Sequence, residues 1–428
     1  MRSKIRSIFE QLKTGVLQML SANVLNKVIS MLSNMVITRL LSQFQFGVWS
    51  YALNIYSYLE LITGFGLAEG AYQFSAENHG TSKEFSYVKF CLKYGLIIDT
   101  FISGVGILIL SLQTLSIPES KPYAMGICPL LLLTYIMNVN MYVLLGENRV
   151  PEYASITNIN TVLNAILTCV GAIFGVTGIL IGRYLAVLVS LIQISIKMKP
   201  EIKKIRSSEK IKLSDSKPIW HYSLYNGASS ALNRVLYILD ITMVGSMIGS
   251  AEQVAIYKIG TLIPTALGFI PSSVINAYLP RIIYHRNDSE WLQKNVKKIY
   301  FGVGILNIII CSILYVLAPY VITIISGQKY IVSVPIFRIL IIGYGISGTF
   351  RTLSTNILAG LRRVTYNLLL SITSGCCDIA FNYFFISRIG TIGAAYATLG
   401  VEIVSSIMGI SYAIYIIFFK DKAQRGTE

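Results

Sequence analysis

"SANVLNKVISMLSNMVIT", residues 21–38, is long and apolar enough to cross a bilayer, yet Lys27 sits near its middle among Asn23, Asn26 and Asn34. A charge at that depth on an isolated helix costs roughly 3 kcal/mol on insertion scales. Such a residue persists where it faces a wet cavity or an ion partner rather than lipid. Asn23, Lys27, Ser30 and Asn34 recur at helical steps of four, three and four, so they line one side of the helix. The chain also repeats the feature. "LNKV" at 25–28 returns as "LNRV" at 232–235, which puts Arg234 at the corresponding place.

Composition says what is being repeated. Of 428 residues, 54% are hydrophobic and 13% charged, and the mean hydropathy is +0.62. Soluble domains carry roughly a quarter charged residues. Apolar stretches of membrane-crossing length predict spans at about 16–38, 46–66, 89–113, 123–145, 155–175, 176–197, 220–248, 253–279, 298–320, 335–358, 367–386 and 392–417. The first lacks a short apolar core and cleavage site, and is expected to be a retained signal anchor. Short connections at Gly175–Val176, near Ile248–Glu252 and at Ser387–Thr391 predict tight helical hairpins.

Charge orients these spans. With the N-terminus inside, 24 of the 36 Lys and Arg residues fall on the cytoplasmic side, and only Arg39, Lys121, Lys329 and Arg388 fall opposite. That bias requires an even number of spans with both termini cytoplasmic. It also accounts for most of the net charge of +16, so no nucleic-acid partner is invoked. The six cysteines lie in apolar segments, the three histidines form no cluster, and no metal-ligand or Ser/His/Asp spacing occurs. Neither a metal, a cofactor nor an enzymatic constellation is expected.

The most basic loop, "KMKPEIKKIRSSEKIKLSDSKP" at 197–218, lies near the midpoint. The expected organisation is an N-terminal six-helix bundle at 1–197, a basic cytoplasmic linker at 198–219 and a C-terminal bundle at 220–428. "AY" at 71–72 and 277–278, and "GVTG" at 175–178 against "GTIG" at 390–393, extend the repeat. Six spans per copy keep both copies in one orientation, related by an axis along the membrane normal. The fold class is therefore all-α and polytopic, with twelve transmembrane helices in two pseudo-symmetric bundles around a central cavity.

Further polar stripes point to that cavity: Ser230, Arg234 and Tyr237; Lys258, Thr261, Thr265, Gly268, Ser272 and Asn276; Tyr344, Ser347, Arg351 and Ser354; Thr157, Asn160, Asn164 and Thr168. Lys27, Arg234, Lys258 and Arg351 are the candidate cavity cations, giving the cleft cationic walls. Asn23, Ser30, Asn34, Asn160, Asn164 and Thr261 are the candidate polar contacts. Glu60, Asp240 and Asp378 are candidates for ion pairing or for proton or sodium coupling, with Glu60 the alternative partner of Lys27. Arg183, outside any stripe, reads as a structural pairing residue. Pro264 and Pro271 predict a bend in span eight.

The first two spans with their "RLLSQFQFGVWSY" turn, the stretch "YNGASSALNRVLYILDITMVGSMIGSAEQVAIYKIG" and "IGTIGAAYAT" at 389–398 resemble polysaccharide (O-antigen, Wzx-type) flippases. These belong to the superfamily that also holds the MATE-type multidrug antiporters and the lipid II flippase. The resemblance implies a non-enzymatic protein of the bacterial inner membrane. It would turn undecaprenyl-diphosphate-linked oligosaccharide from the cytoplasmic to the periplasmic leaflet by alternating access, alongside a polymerase and a chain-length regulator. It maps the anionic head group onto Lys27, Arg234, Lys258 and Arg351. The rival readings are a cation-coupled drug antiporter of the same superfamily and, from another class, a membrane polysaccharide polymerase or ligase. The polymerase reading lacks a large outward loop. A lipid II flippase fits a longer, fourteen-span design.

Overall fold

In the computed structural model, residues 25–81, 83–211, 216–286, 288–361 and 363–420 are described, and every regular element among them is helical. The chain divides into two compact units, one reaching to Val235 and one beginning at Leu236. The first holds α1 (25–40), α2 (Gln43–Leu61), α3 (Leu67–Glu77), α4 (Glu84–Leu112), α5 (Lys121–Ile127) and α6 (Leu130–Gly146). After these come α7 (Val150–Ala172), α8 (Gly175–Lys197), α9 (Lys199–Ser207) and the first part of α10 (Lys217–Ile248). The second unit holds the rest of α10, then α11 (Ala251–Leu267), α12 (Phe269–Tyr284), α13 (Ser289–Ser326), α14 (Val334–Thr349), α15 (Arg351–Gly360), α16 (Val364–Ile389) and α17 (Thr391–Ile414).

Among the described residues, eight helical stretches are long and apolar enough to cross a membrane, or nine if α5 and α6, bent by 41°, form one span. This is a multi-pass membrane protein. Over the described residues, the twelve expected spans fall on helix, but not each on an unbroken one. Span one is described only from residue 25, and span seven contributes the shorter apolar run Ile238–Ile248. Span two breaks between α2 and α3, where Gly64, Phe65 and Gly66 all have positive φ. Asp99 on α4 holds that break, accepting from Thr63 Oγ1 at 2.7 Å and from the Gly64 amide at 2.6 Å. Span eight, Ala251–Tyr284, is continuous enough to count as one stretch, with its regular helix interrupted only at Gly268, between the two expected prolines. Pro264 has no N–H to reach the Gly260 carbonyl, so the helix is already weakened there.

The units repeat one plan. Each has an interrupted second span, a long third (α4, α13), a 3₁₀ turn (Pro118–Ser120, Gln328–Ser333), a broken fourth span (α5/α6, α14/α15) and a closing hairpin (α7/α8, α16/α17). The hairpins show why "GVTG" and "GTIG" correspond. Gly175 (φ +78°) and Gly390 (φ +65°) take the left-handed turn that L side chains avoid. Three residues on, a Cβ at Gly178 or Gly393 would overlap the carbonyl of Gly171 or Phe385 on the preceding helix.

The first unit's core gathers Leu67, Val88, Tyr135, Leu144 and Ile156. The basic segment after α8 joins it. Ile205 is buried in that core, Ile202 and Ile211 pack against it, and Lys199, Lys203, Lys204 and Arg206 stay in solvent. Lys89 Nζ donates to the carbonyls of Arg206 (2.8 Å) and Ser208 (2.6 Å), closing the C-terminal end of α9. Arg149 bonds Glu147, Glu152 and Glu201, pinning the start of α9 to the α6–α7 connection. Ile219 and Trp220, at the start of α10, complete the same core.

Candidate functional site

A pocket of about 280 Å³ lies within the second unit, lined by Asp240, Tyr257, Lys258, Thr261, Tyr344, Arg351, Asp378, Thr398 and Glu402. α10 brings Asp240 in, α11 brings Tyr257 and Lys258, the α14–α15 break brings Arg351, and α16 and α17 supply Asp378 and Glu402. Polar side chains on apolar helices cannot be left against lipid, so they turn to this one interior space.

Asp240 is the hub. Tyr257 OH donates to its Oδ2 at 2.8 Å, and Asn382 Nδ2 donates to its Oδ1 at 2.9 Å. The same Asn382 nitrogen is 3.0 Å from Asp378 Oδ1, so one amide bridges two carboxyl groups and its orientation is fixed. Thr398 Oγ1 lies 2.9 Å from Asp240 Oδ2 and 3.0 Å from the Ala394 carbonyl. It has a single proton and serves one of them at a time. Among the described residues, two buried oxygens of this cluster, Asp378 Oδ2 and Asn382 Oδ1, have no hydrogen-bond partner. Arg351 Nη1 pairs with Glu402 Oε2 at 3.2 Å, their side chains 18% and 7% exposed. The ammonium of Lys258 has no hydrogen-bond or ion-pair partner among the described residues, and it faces the pocket.

Two of the four candidate cations, Lys258 and Arg351, thus share one pocket with Asp240 and Asp378. Thr261 is there too, its hydroxyl donating to the Lys258 carbonyl at 2.9 Å. The pocket is mixed in sign, three carboxyl groups against two cations, so the candidate acids lie beside the candidate cations. Arg234 belongs to the first unit, where it and Arg183 are the charged neighbours of Glu60, and where Glu69 also feels it. Glu60 therefore has arginine neighbours. Lys27 and Ser30 are exposed on α1, and Asn34 Nδ2 donates to the Ser30 carbonyl at 2.9 Å. Asn160 Oδ1 accepts from Ser190 at 2.9 Å, joining α7 to α8, and the Asn164 carbonyl accepts from Thr168. Asn23 lies outside the described residues. Sequence reasoning missed Tyr257, Asn382 and Thr398. A signal existed for Asn382, four residues beyond Asp378 and so on the same helix face.

A family profile described as "Polysaccharide biosynthesis protein" matches residues 12–284. The chain belongs to the polysaccharide biosynthesis protein family. No curated protein matches it significantly. Solved structures show what fold this family member adopts. An inward-facing MATE-family multidrug resistance transporter of the MOP superfamily is similar with a TM-score of 0.71 at 16% identity, over 94% of this chain and 96% of its own. The lipid II flippase MurJ in an inward closed conformation is similar with a TM-score of 0.74 at 13% identity, over 94% of this chain and 87% of its own. A MOP-superfamily transporter from Pyrococcus furiosus, described by the reverse polarity of its binding pocket, gives 0.57 at 17% identity, over 95% and 94%. The family member has the helical fold of the MATE and MurJ transporters, as the sequence resemblance implied.

Proposed function

We propose that this protein is a flippase that turns undecaprenyl-diphosphate-linked oligosaccharide from the cytoplasmic to the periplasmic leaflet of a bacterial inner membrane by alternating access, supplying O-antigen or a related surface polysaccharide. The observation that carries the reading is the Lys258 ammonium, which lines a pocket beside Arg351 and has no partner of its own among the described residues. An uncompensated cation inside a helix bundle is costly unless it meets an anion. A diphosphate supplies about two negative charges and the charge-assisted bonds that the Lys258 ammonium lacks among the described residues. The tyrosine and threonine hydroxyls lining the same space suit a sugar. The family's role in polysaccharide biosynthesis supports the same substrate.

The carboxyl pair fits a coupling cation. Asp240, Asp378, the free Oδ1 of Asn382 and the Thr398 hydroxyl would hold a proton or sodium ion, whose charge offsets a site rich in carboxylates. Thr398 suits either state, since its proton can turn to Ala394 when Asp240 has another partner. Arg234 and Lys27 are assigned to the path of the head group, with both chain termini in the cytoplasm. A polymerase and chain-length regulator act on the product.

The test is deletion of the gene with replacement by variants. Loss of the protein stops surface polysaccharide while lipid-linked oligosaccharide accumulates inside. Lys258→Ala at normal protein level does the same, and Lys258→Arg restores part of the export. Normal export by Lys258→Ala would remove the basis for the assignment. Drug efflux by the wild type, without a polysaccharide defect on deletion, favours the antiporter instead.

A further inference from the structure

A second cavity of the C-terminal unit, about 690 Å³, has almost wholly apolar walls. It runs along α13 past Phe301, Gly304 and Ile308, with Phe350, Ile414 and Phe418 also in its lining. From Lys297 to Ile308 the α13 wall is about 16 Å long at 1.5 Å per residue. The stretch that carries Phe418 is unusual. Residues Tyr415–Lys420 leave the α-helical path for a π-helical turn, a rare form. Two contacts hold that turn against α13: Gln293 Nε2 donates to the Ile417 carbonyl at 3.1 Å, and Lys297 Nζ lies 4.9 Å from the centre of the Phe418 ring.

One end of the groove is charged and the rest is not. Lys297 lines it, and Lys294 stands one helical turn earlier on the same face of α13. Both lie on the side that the charge bias assigns to the cytoplasm. One ammonium group lining a long apolar slot, with a second one helical turn away, matches a lipid with about two negative charges on its head. A zwitterionic phospholipid has no such net charge. We propose that this groove is a loading site for the lipid-linked substrate, taking the polyprenyl chain along α13 while Lys294 and Lys297 hold its diphosphate. The inference rests on the flippase reading and adds to it a docking step outside the Lys258–Arg351 pocket.

The test uses the full-length purified protein and undecaprenyl diphosphate as the probe. Wild type retains the probe in native mass spectrometry. Gly304→Phe, whose ring fills the slot, weakens retention at least tenfold with an unchanged thermal midpoint. Gly304→Ala stays within twofold, because its Cβ meets only the Thr349 methyl at 3.5 Å, an ordinary contact. Lys297→Glu also weakens retention. If Gly304→Phe does not fold, Ile308→Trp gives the same readout from a position already 68% exposed. Undiminished retention by the plugged variants overturns the groove while leaving the flippase reading intact. Equal displacement by phosphatidylglycerol overturns the choice of occupant. Failure of the wild type to retain the probe at all counts against the flippase reading itself.

Discussion

Replacing Glu402 by Gln removes the carboxylate that pairs with Arg351 at 3.2 Å. Breaking a buried ion pair from one side costs about 3–5 kcal/mol, because the remaining charge is stranded. Arg351 is 18% exposed and keeps Asp378 as a charged neighbour, so part of this is relieved and the lower end, about 3 kcal/mol, applies. For a cooperative unit of roughly 200 residues, each kcal/mol moves the midpoint by about 2–4 °C, so Glu402→Gln should melt about 6–12 °C lower. Arg351→Gln alone should fall similarly. The double variant, with a neutral amide pair in the same volume, should recover most of the loss. Thermal unfolding of the detergent-purified chain, read by intrinsic fluorescence, gives the three midpoints of the cycle. Transport separates the roles further. The double variant should be stable yet inactive, because the anion-binding charge is gone. Singles that each shift the midpoint by under 2 °C and add in the double would refute the pairing as an energetic unit.

Asp378→Asn keeps shape and the Asn382 contact, and should leave a folded protein whose transport no longer responds to a sodium or proton gradient; an unchanged gradient response in proteoliposomes places coupling elsewhere. Asp99→Ala strands the Thr63 hydroxyl and the Gly64 amide at the break in span two, costing on the order of 2–4 kcal/mol; chemical or thermal unfolding measures it, and a loss below 1 kcal/mol would mean the break holds without the carboxylate. Gly178→Leu and Gly393→Leu should each drive a hairpin apart and collapse the monodisperse peak on size exclusion, whereas Gly302→Ala, with nothing within 4 Å of its new Cβ, should elute unchanged.

The spans and hairpins were legible because their causes are local. Apolar length announces a membrane helix, and a glycine at a tight turn announces itself by position. The repeat was readable for the same reason: "GVTG" and "GTIG" carry out one steric task twice. The site was legible only in part. Asp240, Lys258, Arg351 and Asp378 stood out as expensive residues in apolar surroundings, but which of them meet depends on how four helices pack. Arg351 and Glu402 are 51 residues apart, and no periodicity links them. Tyr257 was hidden beside Lys258, since a tyrosine in a membrane helix reads as packing. The break at Gly64–Gly66 went unread because its cause, Asp99, lies on another helix. The docking of α9 had a local signal, Ile202 and Ile205 one turn apart in a basic segment, which the charge of the stretch obscured.

Helix α10 carries a lesson about descent. By the repeat read from the sequence, the residues after the basic segment form the second copy, and "LNRV" at 232–235 is its signature. By mechanics, that signature lies on the first copy's side of the boundary at Val235, and Ile219 and Trp220 fill the first copy's core. Asp240, five residues past that boundary, serves the second. One rod inherited from one parent is therefore shared between two bodies. Shuffling halves between relatives within the basic segment would take Ile219 and Trp220 away from the body whose core they fill. The division at Val235 runs through the middle of α10, so a chimera that keeps both bodies intact has to take that whole helix, with its partners on either side, from one parent.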